Sequence, residues 1–371
     1  MNQNNKKLMS VCTIVLLVVL SSCSSGSERE QSVGRAHKLF FDDSRLSWVD
    51  DDQRPIAVTI WYPAVKGSQE EDWNIAIFEA GRSAVNAELA STPQKFPLIV
   101  LSHGTGGAAF QLSWLAEQLV QQGFMVLAVN HHGNTGAEES LLLEGFMLWW
   151  ERTLDISSAI DQLLVDPDFA HRIDAKQIAA AGFSLGGYTV LSLAGGITDR
   201  KKWQAFCSEN QANPICVLPP EAGDSVAQIA ADIEANPRIQ DSISRSAELF
   251  LDQRIRAVYS IAPVLGPAFN KDSLAKISIP TRIVVGADDA QAIPQYNAQL
   301  FADSIPQASL LELVNVSHYT FLAPCNFKGR SFVKTLCQDG EDIKRKEVHQ
   351  NIAADAVSFF TEAFAAGSKT P

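Results

Sequence analysis

Positive charge is scarce in this chain. Its 371 residues hold 30 Lys and Arg against 42 Asp and Glu, a formal net charge of −12. The basic residues are scattered, which excludes the concentrated basic face that nucleic acid requires. No apolar run is long enough for a permanent membrane-spanning helix: the stretch Leu8–Leu20 falls short of the roughly 20 residues needed. There is no His-Glu-x-x-His, no Gly-x-x-x-x-Gly-Lys and no strand-linked dinucleotide fingerprint, so neither a metal nor a cofactor is expected. The adjacent His131 and His132 have no carboxylate at ligand spacing, and no internal repeat is visible.

What is present begins with an address. Lys6 and Lys7 precede Leu8–Leu20, and Ser21-Ser22-Cys23 follow. A charged start, a short apolar core and small residues before a cysteine read as a bacterial lipoprotein signal over residues 1–22, with Cys23 as the acylated first residue. Several acyl chains on one residue exceed the two-signal threshold for stable anchoring. The expectation is a protein tied to a membrane of the bacterial cell envelope without spanning it. Residues 23–32 are polar and Ser-rich and read as a flexible tether, with one folded domain over 33–371.

Cysteine is sparse, six in all. Cys12 and Cys23 belong to the signal, which leaves Cys207, Cys216, Cys325 and Cys337. An even number in an exported protein points to two disulfides. Spacing favours Cys207 with Cys216 and Cys325 with Cys337, out of three possible connectivities. A zinc site is disfavoured because no close Cys-x-x-Cys pair occurs.

Along the folded part, apolar runs alternate with helical patterns. Strands are expected at 56–62, 96–101, 124–130, 177–183, 255–261, 279–286 and 310–314. Helices are expected at 111–122, 149–164, 187–193, 294–302 and 347–364. Most of the strand runs are continuously apolar, as in strands covered on both faces, and the alternation describes an α/β fold with a mostly parallel central sheet and helices on both faces. The rhythm breaks at about 196–254, which reads as a cap insertion. Two further irregular stretches, 135–147 and 321–342, fall where loops at strand ends could wall one common site.

The strongest local signal is Gly182-Phe183-Ser184-Leu185-Gly186-Gly187, after a strand and opening a helix. A serine on such a tight turn is presented as a nucleophile, and the helix start behind it favours developing negative charge. A serine hydroxyl needs a base, and enzymes with this turn supply acid and base in the chain order Ser, Asp or Glu, His. Of the two late histidines, His318 lies in a loop just after a strand, whereas His349 lies within the final helix, so His318 is the expected base. The acid is expected at Asp288 or Asp289, after the strand that ends at Gly286. The glycine-rich loop Ser102 to Gly107 follows an earlier strand. It is expected to lend the N–H of Thr105, beside the N–H of Leu185, to an oxyanion hole. His103 is read as a structural part of that loop, and Phe183, Trp149 and Trp150 as an apolar acyl pocket.

With these pieces in order, the chain resembles the α/β-hydrolase superfamily from about Val58 to Phe360. More narrowly, it is similar to bacterial dienelactone-hydrolase-like proteins related to platelet-activating-factor acetylhydrolase. The shared pieces are Trp61-Tyr62-Pro63, Leu101 to Gly107, Asn130 to Thr135, Arg152 with Asp155, Gly182 to Gly187, and the late Asp and His. The chain departs from dienelactone hydrolases in having serine where they have cysteine, and it has Asn130 and His132 where relatives often read Asp-His-Pro. The resemblance implies a cofactor-free carboxylic-ester hydrolase acting on a small-molecule or lipid ester through a serine acyl-enzyme. Its Gly-x-x-Asp arrangement favours Asp289 as the acid. Ser24 after Cys23 is similar to enterobacterial lipoproteins bound for the outer membrane. The alternatives are a peptidase or amidase with the same triad, and a non-catalytic envelope lipoprotein that kept the fold for binding.

Overall fold

Buried on both faces, the central strands leave little room for polar residues. In the computed structural model, which describes residues 31–217 and 235–367, these strands are β5 (Phe96–Ser102), β6 (Met125–Asn130), β7 (Ile173–Phe183), β8 (Ile255–Ile261) and β9 (Thr281–Gly286), and β10 (Ala308–Leu313) closes that edge of the sheet with no fully buried residue. Successive residues serve opposite cores. In β5, Leu98 and Val100 join one apolar cluster and Ile99 and Leu101 the other, which is why the run is unbrokenly apolar. Helix Glu151–Leu163 packs into the first cluster and the helices Ser113–Gln121 and Arg345–Gly367 into the second.

Four strands precede this block: β1 (Ser32–Leu46), β2 (Gln53–Ala64), β3 (Glu71–Ile75) and β4 (Phe78–Val85). The ten form the order β10-β9-β8-β7-β5-β6-β2-β1-β4-β3. From β6 to β10 every neighbouring pair is parallel, and β2 joins β6 antiparallel. The order reverses at β5, whose neighbours are β6 and β7. Loops leaving the carboxyl ends of strands on either side of such a reversal face one crevice.

The seven expected strands are all present. β1, β3 and β4 were not expected, and β1 begins at Ser32, the last residue assigned to the tether, which pairs with Ala64. Residues 1–30, holding the expected signal, Cys23 and most of the tether, lie outside the described residues. Of the expected insertion at 196–254, the described part contains helices Arg200–Glu209 and Pro237–Ser244; residues 218–234 lie outside it. Disulfides join Cys207 to Cys216 and Cys325 to Cys337, the pairing that spacing favours.

Candidate active site

Ser184 stands between the end of β7 and the helix Leu185–Leu193. Its backbone has φ 56° and ψ −117°, a region that costs a non-glycine residue on the order of 1–3 kcal/mol. The surroundings hold it there: the Ser184 N–H donates to Ile261 O at 2.8 Å, and two glycines allow backbones to close in. A Cβ on Gly182 would lie 2.1 Å from Gly186 O, and one on Gly186 would lie 1.9 Å from Ser102 O. The glycines two residues either side of the serine are thus dictated by strand and helix meeting too closely for any side chain.

His318 opens a short 3-10 turn after β10. Its Nε2 accepts from Ser184 Oγ at 3.0 Å, and its Nδ1–H donates to Asp289 Oδ2 at 2.7 Å. The other Asp289 oxygen accepts the N–H groups of Gln291 at 2.9 Å and Ala292 at 2.7 Å, which fixes the carboxylate. All three side chains are buried. Asp288 is exposed, with its N–H bonded to Val316 O, so of the two candidate acids only Asp289 meets the imidazole. His349 is elsewhere: its ring stacks on Trp114 at 4.1 Å, and its Nε2–H donates to Thr320 O at 2.8 Å.

Thr105 and Leu185 both line the cavity that opens in front of Ser184. In the Thr105 loop, the neighbouring amides are engaged, Gly106 N–H with Asn134 Oδ1 at 3.0 Å and Gly107 N–H with Gly104 O at 3.1 Å. Leu185 is the first residue of its helix, where N–H groups have no intrahelical acceptor. The arrangement can present two donors to an anionic oxygen beside Ser184.

Behind the loop lies a buried polar network that sequence reasoning did not assemble. Asp155 Oδ1 accepts from Arg54 Nε at 2.7 Å and from Arg45 Nη2 at 2.8 Å; its Oδ2 accepts from His131 Nδ1 at 3.1 Å. Burial alone would raise the Asp155 pKa, but Arg54 and Arg45 hold it well below the usual carboxylate range. His131 Nε2 accepts from Ser102 Oγ at 2.9 Å, and the His131 N–H donates to His103 Nε2 at 3.1 Å. Burial, reinforced by the Arg152 charge, depresses the His131 pKa to about 3, and His103 is likewise lowered, chiefly by burial. Both rings are neutral hydrogen-bonding struts. Arg152 donates to His103 O and, at 2.9 Å, to Asn134 Oδ1. His132 is committed elsewhere, with Nδ1–H on Glu138 at 2.8 Å and Nε2 accepting from Trp48 N–H at 3.1 Å. Arg152, Asp155, His103 and His131 were each visible as motif residues; Arg45 and Arg54, on or beside β1 and β2, carried no signal.

The cavity before Ser184 measures about 620 Å³. All three irregular stretches contribute to its lining: Phe146 and Met147 from the first, Trp203 and Ile215 from the insertion, Leu322 and Leu336 from the third. Of the three aromatic residues expected there, Phe183 and Trp149 are present. Trp150 is instead fully buried with its indole N–H on Ser242 Oγ at 2.9 Å, because it faces the core side of its turn.

Comparison with known proteins finds hydrolase families along the same stretch of chain. Residues 65–144 match the family of platelet-activating factor acetylhydrolase, isoform II, and residues 110–211 match the prolyl oligopeptidase family. The acylamino-acid-releasing enzyme of Rattus norvegicus is 27% identical over 159 residues, 41% of this chain and 21% of that enzyme. Cutinase est2 of Thermobifida alba is 30% identical over 105 residues, 28% of this chain and 31% of the cutinase. The chain thus spans less than a third of the length of these relatives. The structure of a ferulic acid esterase from Streptomyces cinnamoneus superposes with a TM-score of 0.58 over 90% of both chains at 17% identity, a likeness of fold.

Proposed function

We propose that this chain, which belongs to the α/β-hydrolase superfamily, is a serine hydrolase that cleaves carboxylic esters through an acyl-enzyme. One observation carries the reading: the unbroken line Asp289–His318–Ser184, with bonds of 2.7 and 3.0 Å, ending on an apolar cavity. Ser184 Oγ attacks the acyl carbon while His318 Nε2 takes its proton. The resulting oxyanion lies toward the N–H groups of Leu185 and Thr105, where one such donor is worth about 3 kcal/mol in the transition state. His318 then returns the proton to the leaving alkoxide, and afterwards draws one from the water that releases the acid. Asp289 holds the tautomer and stabilises the imidazolium without taking the proton.

The matches to platelet-activating factor acetylhydrolase and cutinase support ester chemistry. The match to the prolyl oligopeptidase family, spanning the Ser184 turn, supports the second reading, an amidase or peptidase with the same residues. Against it, the described cavity lining holds no Asp, Glu, Lys or Arg to pair with a peptide terminus. We further propose that the chain is lipidated at Cys23 and acts at the cell envelope, on the strength of the residue order Lys6 to Cys23.

The test is hydrolysis of p-nitrophenyl esters and the matching anilides, with fluorophosphonate labelling, beside Ser184→Ala. Ester turnover and labelling that disappear together in the variant are expected. Faster anilide than ester turnover would favour the amidase, and a folded protein with neither turnover nor Ser184-dependent labelling would leave a binding role.

A further inference from the structure

One wall of the cavity before Ser184 is built unlike the rest. Most of the lining belongs to well-packed elements: Phe183 and Leu185 are buried beside the nucleophile, and Trp149 is buried with its indole N–H on Thr198 Oγ1. The wall formed by Trp203 and by Pro214 to Val217 has less of that support. Neither helix Arg200–Glu209 nor the 3-10 turn Pro214–Cys216 has a single buried residue. The helix half is held by Trp203, half-buried against the core, and the covalent bond between Cys207 and Cys216 ties the turn Pro214–Cys216 to that half. Cys216 itself faces the cavity.

The chemistry of the lining restricts what the wall encloses. Apart from Ser184 and His318, the polar side chains are amides and hydroxyls, including Gln111, Gln291 and Asn297, and none of the described lining residues is Asp, Glu, Lys or Arg. An ionised group brought into such a space loses its hydration without gaining a partner. A volume of about 620 Å³ is within the range that encloses ligands well beyond an acetyl group.

We propose that the Cys207–Cys216 bridge is the specificity-determining element of this site. It holds Trp203 and Ile215 as one wall of a pocket for an uncharged, bulky acyl group, and so sets the acyl length that the enzyme accepts. The inference rests on the ester-hydrolase reading above and concerns which esters are taken.

The experiment compares kcat/KM for p-nitrophenyl acetate, butyrate, octanoate and dodecanoate in the full chain, in the Cys207→Ser, Cys216→Ser double variant and in Ile215→Trp. The ratio of octanoate to acetate is expected to fall at least about tenfold in the double variant, the scale on which an apolar pocket discriminates by size. Ile215→Trp keeps the bridge and fills the pocket, so its optimum is expected at a shorter chain than the wild type's. In the wild type, a hemisuccinate ester is expected to be at least about a hundredfold slower than the valerate ester of similar length. Superimposable chain-length profiles in all three proteins, or a hemisuccinate hydrolysed as fast as the valerate, overturn this inference alone. A wild type that turns over none of these esters overturns the ester-hydrolase reading with it.

Discussion

Asn134 and Arg152 are hydrogen bonded at 2.9 Å inside the fold, and the Asn134 oxygen that accepts from Arg152 also accepts the Gly106 N–H at 3.0 Å. The loop that carries Thr105 is therefore tied to the buried Arg152 through the Asn134 oxygen as well as directly, through His103 O. Asn134→Leu removes both bonds while filling a similar space. We expect kcat to fall about ten- to a hundredfold with little change in KM, the signature of a donor displaced from the transition state and not from the ground state. Asn134→Asp keeps an acceptor for both donors and should recover most of the rate. Equal losses in both variants, or a loss confined to KM, would refute the positioning role; steady-state kinetics decide.

The two neighbouring carboxylates separate by partner. Asp289→Asn should lower kcat on the order of a thousandfold or more, because the imidazole loses the group that orients it and balances its charge. Asp288→Asn, at an exposed position, should stay within about twofold, as surface substitutions do. Parallel kinetics of the two variants check the assignment, and a reversed pattern would transfer the role to Asp288.

Stability should fall in mild acid. Burial depresses both His131 and His349 to about 3, against 6.5 for the unfolded ring. Between those values the unfolded state binds protons that the folded state refuses. The stability is therefore complete above pH 6.5 and drains as pH falls, by about 1.4 kcal/mol per pH unit for each ring. Thermal melts from pH 7.5 to 4.5 should show a Tm that starts to drop near pH 6.5. His349→Phe retains a ring against Trp114 and strands Thr320 O, so it should cost about 1–3 kcal/mol at pH 7 yet give a flatter pH profile. A profile as steep as the wild type's would count against the buried neutral ring.

Gly186→Ala should be poorly tolerated, because its Cβ would meet Ser102 O at 1.9 Å and both partners are backbone. We expect a loss of about 1–3 kcal/mol or more by denaturant unfolding, together with loss of activity as β5 is pushed from the nucleophile turn. A variant of wild-type stability would mean that the approach of strand and helix is looser than described.

The proposed anchor has its own test. Cys23→Ser should abolish palmitate incorporation and partition into a detergent phase, since a single atom carries the attachment chemistry, while ester hydrolysis is unchanged. Incorporation that persists in the variant would place the modification elsewhere.

How much of this was legible beforehand follows from the range over which each signal acts. The strands β5 to β9 announced themselves because burial on both faces forces continuous apolar runs. β1 and β3 did not: β1 mixes buried with exposed residues and carries Arg35, Lys38 and Asp42, and β3 has no buried residue. Without a two-sided core there is no unbroken apolar run to read.

Ser184 could be named because its turn is a contact between residues four apart, Gly182 with Gly186, written within a single hexapeptide. His318 could be named from chain order and its loop after a strand. The choice between Asp288 and Asp289 needed the structure, since it depends on which carboxylate points at an imidazole 29 residues later. The network beneath the Thr105 loop needed it still more. Arg54 reaches Asp155 across 101 residues and Arg152 reaches His103 across 49. A hydrogen bond is a relation between two places in space, and a sequence records only the neighbours within a turn or two. By itself this sequence determined the candidate nucleophile, the candidate base and the alternation that builds the sheet; the carboxylate that meets the imidazole, the buried charges behind the loop and the disulfide-braced wall were decided only when distant segments packed.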